Sequence, residues 1–378
     1  MTHYDVAVIG LGAMGSAALY HLSRRGRRVI GIERAEPGHE GGSSHGESRI
    51  IRLAQFENPA YTPLVRRAYA HWQTLEREGG EAVIVPTGMI EGGLPGSRIV
   101  QGSLRAAREN GLAHEVLTPK AANARFPALD LPGDWTVVFQ PGAGIVRAAV
   151  AIRLLVAGAR AAGAEVRERT AVAAIEPAGR GVRISTLGGD VIEADRAIVT
   201  AGPWIGELVP ELAPLLQLTR QAVGWFEPAR PAEAGPDRLP IFMFEDEEDA
   251  IYGFPAFAGG GVKAASHRLG RTLARASDAR QDATAEDLLE VAQLMARRIP
   301  GAAGPLRALK TCIYASTPDE EFVIDLHPRW PQIVICSACS GHGFKFASVF
   351  GDMLADMAEA GAVPAEMAAF GMGRFGIG

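Results

Sequence analysis

The N-terminal segment begins with an apolar run and then changes to a helical pattern. Residues 4–9, YDVAVI, are almost continuously apolar, which is typical of a strand buried on both faces. GLGAMG follows, and apolar residues then recur at helical spacing to about Arg25, where Gly26 ends the helix. A second strand, RVIGIE, ends at Glu33. The pattern predicts a βαβ unit at the start of the chain.

The rest of the chain alternates between helical and strand patterns. Apolar periodicity predicts helices over residues 62–79, 100–111, 147–163, 285–298 and 344–360. Strand patterns occur near residues 83–91 and 136–140, in a small antiparallel meander that leads to IVTAGPW, and in AVGWFEP, AIYGFPAF, VIDLHP and IVICSACSG. Residues 34–48 form a loop rich in Gly, Ser and His, where the backbone can approach a ligand. We interpret the acidic run EDEED, at 245–249, as a solvated loop or, alternatively, a mobile lid.

The segment after the first strand has the spacing of a dinucleotide-binding fingerprint. Gly10 permits a tight turn, Gly12 lets a pyrophosphate approach the backbone, and Gly15 lets helix and strand pack closely. The helix N-terminus offers free N–H groups to the phosphates, and Glu33 can accept hydrogen bonds from ribose hydroxyls. A turn of small residues without a ligand is the alternative.

The later strands indicate which dinucleotide binds. IVTAGPW follows a small meander, whereas an NAD-dependent dehydrogenase normally continues with βαβ units, so the pattern favours a flavoprotein. We predict a mixed α/β fold, with a Rossmann-like FAD-binding domain and an inserted antiparallel-sheet substrate domain. The FAD-binding domain would combine residues 1–55, 141–216 and 311–378, and the substrate domain residues 56–140 and 217–310.

Composition excludes several other classes. The net charge is −5 and the basic residues are scattered among acids, so we expect no nucleic-acid partner. Three cysteines in 378 residues do not make a disulfide framework. The N-terminus does not resemble a signal peptide, and the apolar helix at 148–163 is interrupted by Arg153 and Arg160, so no membrane span is expected. We predict a cytoplasmic protein.

Several motifs give the chain a resemblance that covers nearly its whole length. They are GLGAMGS at 10–16, SSHGESRIIR at 43–52, TAGPW at 200–204, IYGFP at 251–255, KTCIYASTPDEEFVIDLHP at 310–328 and SGHGFKF at 340–346. On these the chain resembles the monomeric sarcosine oxidase and N-methyltryptophan oxidase family, within the D-amino-acid-oxidase-like FAD oxidoreductases. The family name suggests a monomer.

The resemblance implies a covalent flavin. In this family, the cysteine of a C-x-Y-x-x-T-x-D segment carries FAD through a thioether, and Cys312, Tyr314, Thr317 and Asp319 match that segment. Only a thiolate is nucleophilic, and Lys310 could lower the pKa of the thiol. Alternatively, Cys312 is a small buried apolar residue.

The resemblance also assigns the cations. Arg52 and Lys345 match the family's clamp for a substrate carboxylate, and Lys263 matches its oxygen-activating lysine. The alternatives are helix-surface positions for Arg52 and Lys345 and a solvent-facing strand position for Lys263.

The remaining candidate residues rest on the same resemblance. His45 and Arg49 match positions beside the flavin, where positive charge would support the reduced anion, and His267 matches an active-site histidine. Tyr252, Met243 and Tyr314 match residues that line the substrate pocket. Further cofactor contacts are predicted at Ser43, Val172, Gly202, Trp204, Gly341 and Gly343.

Three positions bear on the shape and electronics of the site. Ala315 stands where sarcosine oxidase itself has threonine, so a hydroxyl near the flavin is missing. Cys339 precedes SGHGFKF and is expected to line the pocket, whereas Cys336 continues a buried strand pattern. The C-x-x-C spacing at 336–339 lacks a second pair, so no metal site is predicted.

These expectations combine into a function. We predict an FAD-dependent oxidase of secondary amines that converts an N-methyl or cyclic α-amino acid to an imine and reduces O2 to H2O2. The alternatives are a flavin-dependent amine dehydrogenase with poor oxygen reactivity and a non-catalytic flavin-binding protein.

Overall fold

A computed structural model of the chain describes residues 3–246, 249–280 and 283–377. Within these ranges the strands are β1 His3–Ile9, β2 Val29–Ile32, β3 Arg49–Ile51, β4 Ile84–Pro86, β5 Met89–Gly93, β6 Glu115–Leu117, β7 Thr136–Gln140, β8 Gly144–Val146, β9 Glu165–Arg167, β10 Val172–Ala178, β11 Gly181–Thr186, β12 Val191–Val199, β13 Gln217–Phe226, β14 Ile241–Asp246, β15 Asp249–Phe254, β16 Val262–Ser266, β17 Arg271–Leu273, β18 Leu306–Ser316, β19 Val323–Leu326 and β20 Ile333–Ser337. The helices are α1 Ala13–Arg24, α2 Thr62–Gly79, α3 Arg98–Glu109, α4 Pro119–Arg125, α5 Ala148–Ala161, α6 Ile205–Leu208, α7 Pro231–Ala234, α8 Leu289–Arg298 and α9 Ala347–Ala360. Short 3₁₀ turns include Gly202–Trp204, Ala285–Leu288 and Gly343–Phe346.

The first sheet contains the predicted βαβ unit. Its central path runs β10-β11-β12-β1-β2-β9, and β20 joins β12 and carries β19. The strands β9, β2, β1, β12 and β20 are parallel, while β10, β11 and β19 are antiparallel to their neighbours. Helix α1 packs against α5 and α9 through buried apolar residues such as Leu19, Leu155 and Phe350. Parallel strands with covering helices are the arrangement that the N-terminal pattern predicted.

The second sheet is larger and mostly antiparallel. Its order is β17-β13-β16-β15-β14-β5-β7-β6, with β18 on β13. The pair β5 and β14 is parallel, which departs from the expected antiparallel sheet. The two strands come from distant segments of the chain, and their apolar residues Ile90, Phe242 and Phe244 join one core cluster.

The register of this sheet places a row of side chains on one face. Glu91 of β5 pairs with Met243 of β14, Met243 with Tyr252 of β15, and Tyr252 with Ala265 of β16. Because directly paired residues share a face and every second residue on a strand returns to it, Lys263 belongs to the same face.

A third, small sheet, β3-β8-β4, carries Arg49 at the start of β3. The division into two domains stays a prediction, and β18 runs across the predicted boundary between residues 310 and 311.

The structure corrects the interpretation of the acidic run at 245–249. Glu245 and Asp246 end β14 and Asp249 begins β15, while residues 247–248 lie outside the described residues. Asp246 is buried and accepts a hydrogen bond of 2.8 Å from Arg298, and Glu245 accepts one from the backbone of Ile99. A solvated loop was therefore wrong for these two residues, because their carboxylates have partners on neighbouring helices.

Candidate active site

A continuous cavity runs from the loop after β1 to the face of the second sheet that carries Met243 and Tyr252. The cavity is lined by nearly every residue that the sequence proposed as functional: Gly10, Gly12, Glu33, Ser43, His45, Arg49, Arg52, Val172, Gly202, Trp204, Met243, Tyr252, Lys263, His267, Cys312, Tyr314, Gly341, Gly343 and Lys345. Gly15 is the exception, since it lies behind the cavity wall.

The glycines of the fingerprint shape the cavity's narrow end. Gly10 has a φ of +89°, and a Cβ there would lie 2.6 Å from the carbonyl oxygen of Thr200. A Cβ on Gly15 would lie 1.9 Å from the carbonyl oxygen of Gly10. Gly12 is less confined, since its nearest neighbour would be the Ser44 hydroxyl at 3.1 Å. Gly10 and Gly15 therefore allow the turn and the helix packing, and Gly12 leaves open space in front of α1.

Glu33 stands at the end of β2 beside this turn. Its carboxylate accepts hydrogen bonds from the backbone N–H of Leu11 at 2.7 Å and of Ala35 at 3.1 Å. His39 Nε2 lies 3.4 Å from the same carboxylate. Burial alone would raise the pKa of Glu33, but the hydrogen bonds from His39, Ala35 and Leu11 hold it below the ordinary value. The acid is therefore ionised and fixed in the cavity wall.

The sequence analysis predicted Trp204 at this end of the cavity but missed Arg34. The Arg34 guanidinium lies 4.2 Å from the centre of the Trp204 ring, and both residues line the cavity. Arg34 follows Glu33 directly, but only the fold brings Trp204 from the end of β12 to meet it.

Cys312 lies in β18, buried against Ser43. Its Sγ donates to the Ser43 carbonyl oxygen at 3.8 Å. Burial raises the pKa of the Cys312 thiol, while the charges of Arg49 and Lys263 lower it. Lys310 does not have the suggested role, because its ammonium pairs with Glu40. Cations do face the thiol, but they come from other elements of the fold.

Lys263 is a buried cation on β16. Its ammonium donates to the Ser48 carbonyl oxygen at 2.9 Å and lies 4.8 Å from the centre of the Phe254 ring. Burial, with a contribution from Arg49, brings the pKa of Lys263 well below its ordinary value. The solvent-facing alternative is wrong, since only 5% of the residue is exposed.

His45 lies on the loop before β3, and Arg49 is the first residue of β3. Arg49 donates to the carbonyl oxygens of Ser43 and His45, so the loop is closed around its guanidinium. Burial lowers the pKa of His45 to about 4, and Arg49 and Lys263 add to the effect. His45 is therefore neutral at pH 7, so the positive charge predicted beside the flavin does not come from this imidazole. Neither ring nitrogen of His45 has a hydrogen-bond partner among the described residues.

Arg52 and Lys345 meet at the other end of the cavity. Arg52 is 1% exposed, and its Nη2 donates to both carboxylate oxygens of Glu57, at 2.7 and 2.6 Å. Lys345 is 3% exposed and donates to the carbonyl oxygen of His342 at 2.7 Å. Burial lowers the pKa of Lys345 to about 7, against an opposing effect of Glu57. The helix-surface positions considered as alternatives for Arg52 and Lys345 are wrong, because both residues are buried.

Glu57 itself is the most informative residue that the sequence analysis missed. Burial would raise the pKa of its carboxyl, but Arg52 and Lys345 hold it well below the ordinary value. Its position two residues before Pro59 carries no recognisable signal in the sequence. The carboxylate binds Arg52 directly and responds to the charge of Lys345, so an anion at this place is stabilised by both residues.

Aromatic and apolar groups close the space between the cations. The Tyr252 and Tyr314 hydroxyls lie 3.3 Å apart, and the His267 ring stands edge-on to Phe56 with centres 5.6 Å apart. Burial lowers the pKa of His267 to about 4 and raises that of Tyr314 well above 10.0. These rings and Met243 are therefore neutral walls at pH 7.

The turn around Gly341 completes the cavity. Gly341 has a φ of +77°, and a Cβ there would lie 2.8 Å from the Tyr314 ring. Cys339 and Cys336 both line the cavity, although Cys336 is 2% exposed and belongs mainly to the core, as predicted. Cys339 is more exposed and borders the pocket. Among the described residues, no group of His, Cys, Asp and Glu has the arrangement of a metal site.

The geometry agrees with comparisons to known proteins. Residues 5–357 match the family model of FAD dependent oxidoreductases named DAO. The chain is 39% identical over 365 residues to a monomeric sarcosine oxidase of Streptomyces avermitilis, which covers 95% of this chain and 94% of the relative. The chain belongs to this family. It is a sarcosine oxidase-like, FAD-dependent amine oxidoreductase.

Further comparisons agree in sequence and in fold. An N-methyl-L-tryptophan oxidase of Yersinia pestis is 35% identical over 375 residues, which are 98% of this chain and 99% of the relative. The solved structure of NikD, described as an unusual amino acid oxidase essential for nikkomycin biosynthesis, superposes with a TM-score of 0.87 at 23% identity, covering 98% of both chains. The similarity to NikD is a similarity of fold.

The oxidoreductase has the groups that FAD requires. The glycine turn leaves open space before α1, Glu33 is ionised beside it, and Arg49 and Lys263 supply positive charge farther along the cavity. An anionic pyrophosphate, a ribose and a flavin ring that gains negative charge on reduction are complementary to these groups in that order. None of the described helices combines the length and apolarity needed to cross a membrane.

Proposed function

We propose that the protein is an oxidase of secondary amines that acts on N-methyl or cyclic α-amino acids and transfers their electrons to O2. The observation that carries this proposal is the buried Arg52, which binds a carboxylate at the end of the cavity, with the buried Lys345 near enough to lower the pKa of that carboxyl. The names of the relatives, sarcosine oxidase and N-methyl-L-tryptophan oxidase, support the same substrate class.

The substrate carboxylate binds to Arg52 and Lys345. A guanidinium is always charged and suits a carboxylate geometrically, and the ammonium of Lys345 adds a second positive charge. Glu57 holds the place of that carboxylate when no substrate is bound. Binding therefore exchanges one carboxylate for another at Arg52.

The amine of the substrate lies between neutral walls. Tyr252, Tyr314 and His267 carry no charge at pH 7, so the site does not stabilise an ammonium and favours the neutral amine. Bound FAD supplies the redox chemistry of the family, taking a hydride equivalent from the amine and passing electrons to O2. The imine product then hydrolyses in water, and an N-methyl substrate yields the amino acid and formaldehyde.

Lys263 is proposed to stabilise the negative charge that develops when O2 is reduced. Its ammonium is buried beside Phe254 and is held by Ser48, so it is fixed before the reaction. His45, which also lines the cavity, is neutral at pH 7 and does not compete with Lys263 for this role.

Cys312 is proposed to hold FAD covalently. Burial raises the pKa of its thiol and the charges of Arg49 and Lys263 oppose that rise, while the Ser43 carbonyl oxygen holds the sulfur at the cavity wall. We expect acid-precipitated protein to keep its yellow colour and the Cys312→Ser variant to release it. Colour in the supernatant of the unaltered protein would remove this proposal and leave Cys312 as a buried core residue.

A panel of amines tests the function. We expect peroxide and formaldehyde in equal amounts from an N-methyl amino acid in air, and a large loss of both in Arg52→Ala protein that retains its flavin. Flavin reduction without rapid reoxidation in air would favour the dehydrogenase alternative. A flavin that no amine reduces would favour the binding protein.

The assembly and location of the enzyme remain proposals. The name of the sarcosine oxidase relatives supports a monomer, which light scattering would test directly. A cytoplasmic location is proposed with it, and fractionation of the producing cells would test it.

A further inference from the structure

A second carboxylate, Glu91, lies behind Arg52 and does not line the cavity. Glu91 is fully buried in β5, with β14 on one side and β7 on the other. Its Oε1 lies 3.9 Å from Arg52 Nε. Burial raises the pKa of Glu91, and the charge of Arg52 and hydrogen bonds from Ser103 and Gln140 oppose that rise. A buried carboxylate is costly unless a cation compensates its charge, and Arg52 is the cation that faces it.

The carboxylate is held rigidly from the other side. Glu91 Oε2 accepts a hydrogen bond of 2.7 Å from Gln140 Nε2. Gln140 also bonds to the backbone of Ala54 through both its amide oxygen and its amide nitrogen. Arg52 Nε donates to the Ala54 carbonyl oxygen at 3.2 Å. Glu91, Gln140, Ala54 and Arg52 therefore form one closed network that joins the clamp to the second sheet.

The two carboxylates near Arg52 differ in their freedom to move. Glu57 lies on the loop between β3 and the helix α2, and 11% of its side chain is exposed. Glu91 sits in a strand paired on both sides, and its side chain is 0% exposed. The Glu57 carboxylate can therefore move from the Arg52 guanidinium into solvent, whereas the Glu91 carboxylate cannot.

We propose that Glu91 is a positioning residue, the permanent counterion that fixes the Nε edge of Arg52 so that its outer nitrogens can exchange Glu57 for a substrate carboxylate. The proposal rests on the proposed function of Arg52 and extends it to a residue that never contacts substrate. Without the Glu91 charge, Arg52 keeps its pair with Glu57 and its hydrogen bond to the Ala54 carbonyl oxygen but loses the counterion on its Nε side, so the guanidinium is held less firmly when Glu57 moves away.

The test measures carboxylate binding separately from oxidation. Methoxyacetate replaces the N–H of an N-methylglycine with oxygen, so it has a carboxylate but no amine to oxidise. We expect Glu91→Gln to raise the Kd of methoxyacetate, measured by calorimetry on the flavin-loaded enzyme, by roughly tenfold. The KM for an N-methyl amino acid should rise by a similar factor, with kcat within about threefold of the original value.

A matched control separates positioning from stability. Asp246 is a buried carboxylate on the neighbouring strand β14, and it pairs with Arg298 away from the cavity. We expect Asp246→Asn to lower the Tm but to leave the Kd of methoxyacetate unchanged. If Glu91→Gln does not fold, Gln140→Met keeps the charge of Glu91 but removes the hydrogen bonds that join Gln140 to Glu91 and to Ala54, and a rise in Kd is again expected.

The outcomes are distinguishable. An unchanged or lower Kd in folded Glu91→Gln protein, or in Gln140→Met if only that variant folds, overturns the positioning role. Failure of the unaltered enzyme to bind methoxyacetate instead contradicts the proposed clamp itself. A rise in Kd in Asp246→Asn equal to that in Glu91→Gln also overturns the proposal, because loss of any buried acid would then suffice.

Discussion

Arg52 donates from one nitrogen to both oxygens of Glu57, at 2.7 and 2.6 Å, inside the cavity that also holds Lys345. The two residues are five positions apart in sequence, and the short loop between them folds back so that the carboxylate reaches the guanidinium. An internal carboxylate thus competes with any carboxylate that enters from solution.

Removal of the internal competitor should tighten substrate binding. We expect Glu57→Gln to lower the KM for an N-methyl amino acid by roughly tenfold, because a hydrogen bond between charged groups contributes about 1.5–3 kcal/mol. Steady-state kinetics measure the change, with Glu366→Gln, an acid paired with Arg67 on the surface, as control. A raised KM would mean that Glu57 supports the clamp and does not compete with substrate.

The affinity for carboxylates should depend on pH through Lys345. Its pKa is lowered to about 7 by burial, so the ammonium is charged below this pH and neutral above it. Methoxyacetate is ionised throughout this range, and Arg52 stays charged. The Kd should therefore rise as the pH increases through about 7. Calorimetry at several pH values tests this, and the dependence should be absent in Lys345→Met.

The oxygen reaction should depend on Lys263. We expect Lys263→Met to slow reoxidation of the reduced enzyme by roughly 100-fold or more, since a fixed donor to a developing negative charge has an effect of this size. Anaerobic reduction by substrate should change much less. Because the pKa of Lys263 is lowered, reoxidation in the unaltered enzyme should also slow at high pH. Stopped-flow absorbance separates the two half-reactions, and equal losses in both would contradict the assignment.

Alanine substitutions at Gly15 and Gly12 of the first turn should have different effects, the first on stability and the second on FAD binding. Gly15→Ala places a Cβ 1.9 Å from a backbone oxygen that cannot move away, so we expect the Tm to fall by roughly 5 °C or more. Gly12→Ala meets only the Ser44 side chain at 3.1 Å, so the fold should persist while FAD content falls. Thermal melting and flavin absorbance measure the two effects. Full FAD loading of Gly12→Ala would place the pyrophosphate elsewhere.

The local parts of the fold could be predicted from the sequence. The strand ending at Ile9, the glycine turn and the helix to Arg24 follow from a single stretch of chain, and Thr62–Gly79 was predicted with its observed bounds. Each depends on apolar spacing and on end signals that lie within the element. The roles of Arg52, Lys345 and Lys263 were predicted from the family resemblance and not from local pattern. The burial of these three side chains excludes the solvent-exposed positions that were the alternatives.

Other features depend on contacts between distant segments. Glu91 faces Arg52 because the fold brings residues 52–54 against β5 and β7, where Ala54 bonds to Gln140, and no local pattern indicates this contact. Asp246 was placed in a solvated loop because a run of acids usually is solvated, but Arg298 on α8 gives it a partner. Lys310 stands two residues from Cys312 on the same strand and yet pairs with Glu40. Charge partners of this kind are set by the assembled fold.

The most direct test of the central claim is the absorbance of the purified flavin-loaded enzyme mixed anaerobically with an N-methyl amino acid. We predict bleaching of the oxidised flavin band, followed by its recovery and release of H2O2 when air is admitted. The same amine without its carboxylate should bleach the band far more slowly, since it cannot use Arg52 and Lys345. Equal bleaching rates for the two amines, or no bleaching by any secondary amino acid, would contradict the account.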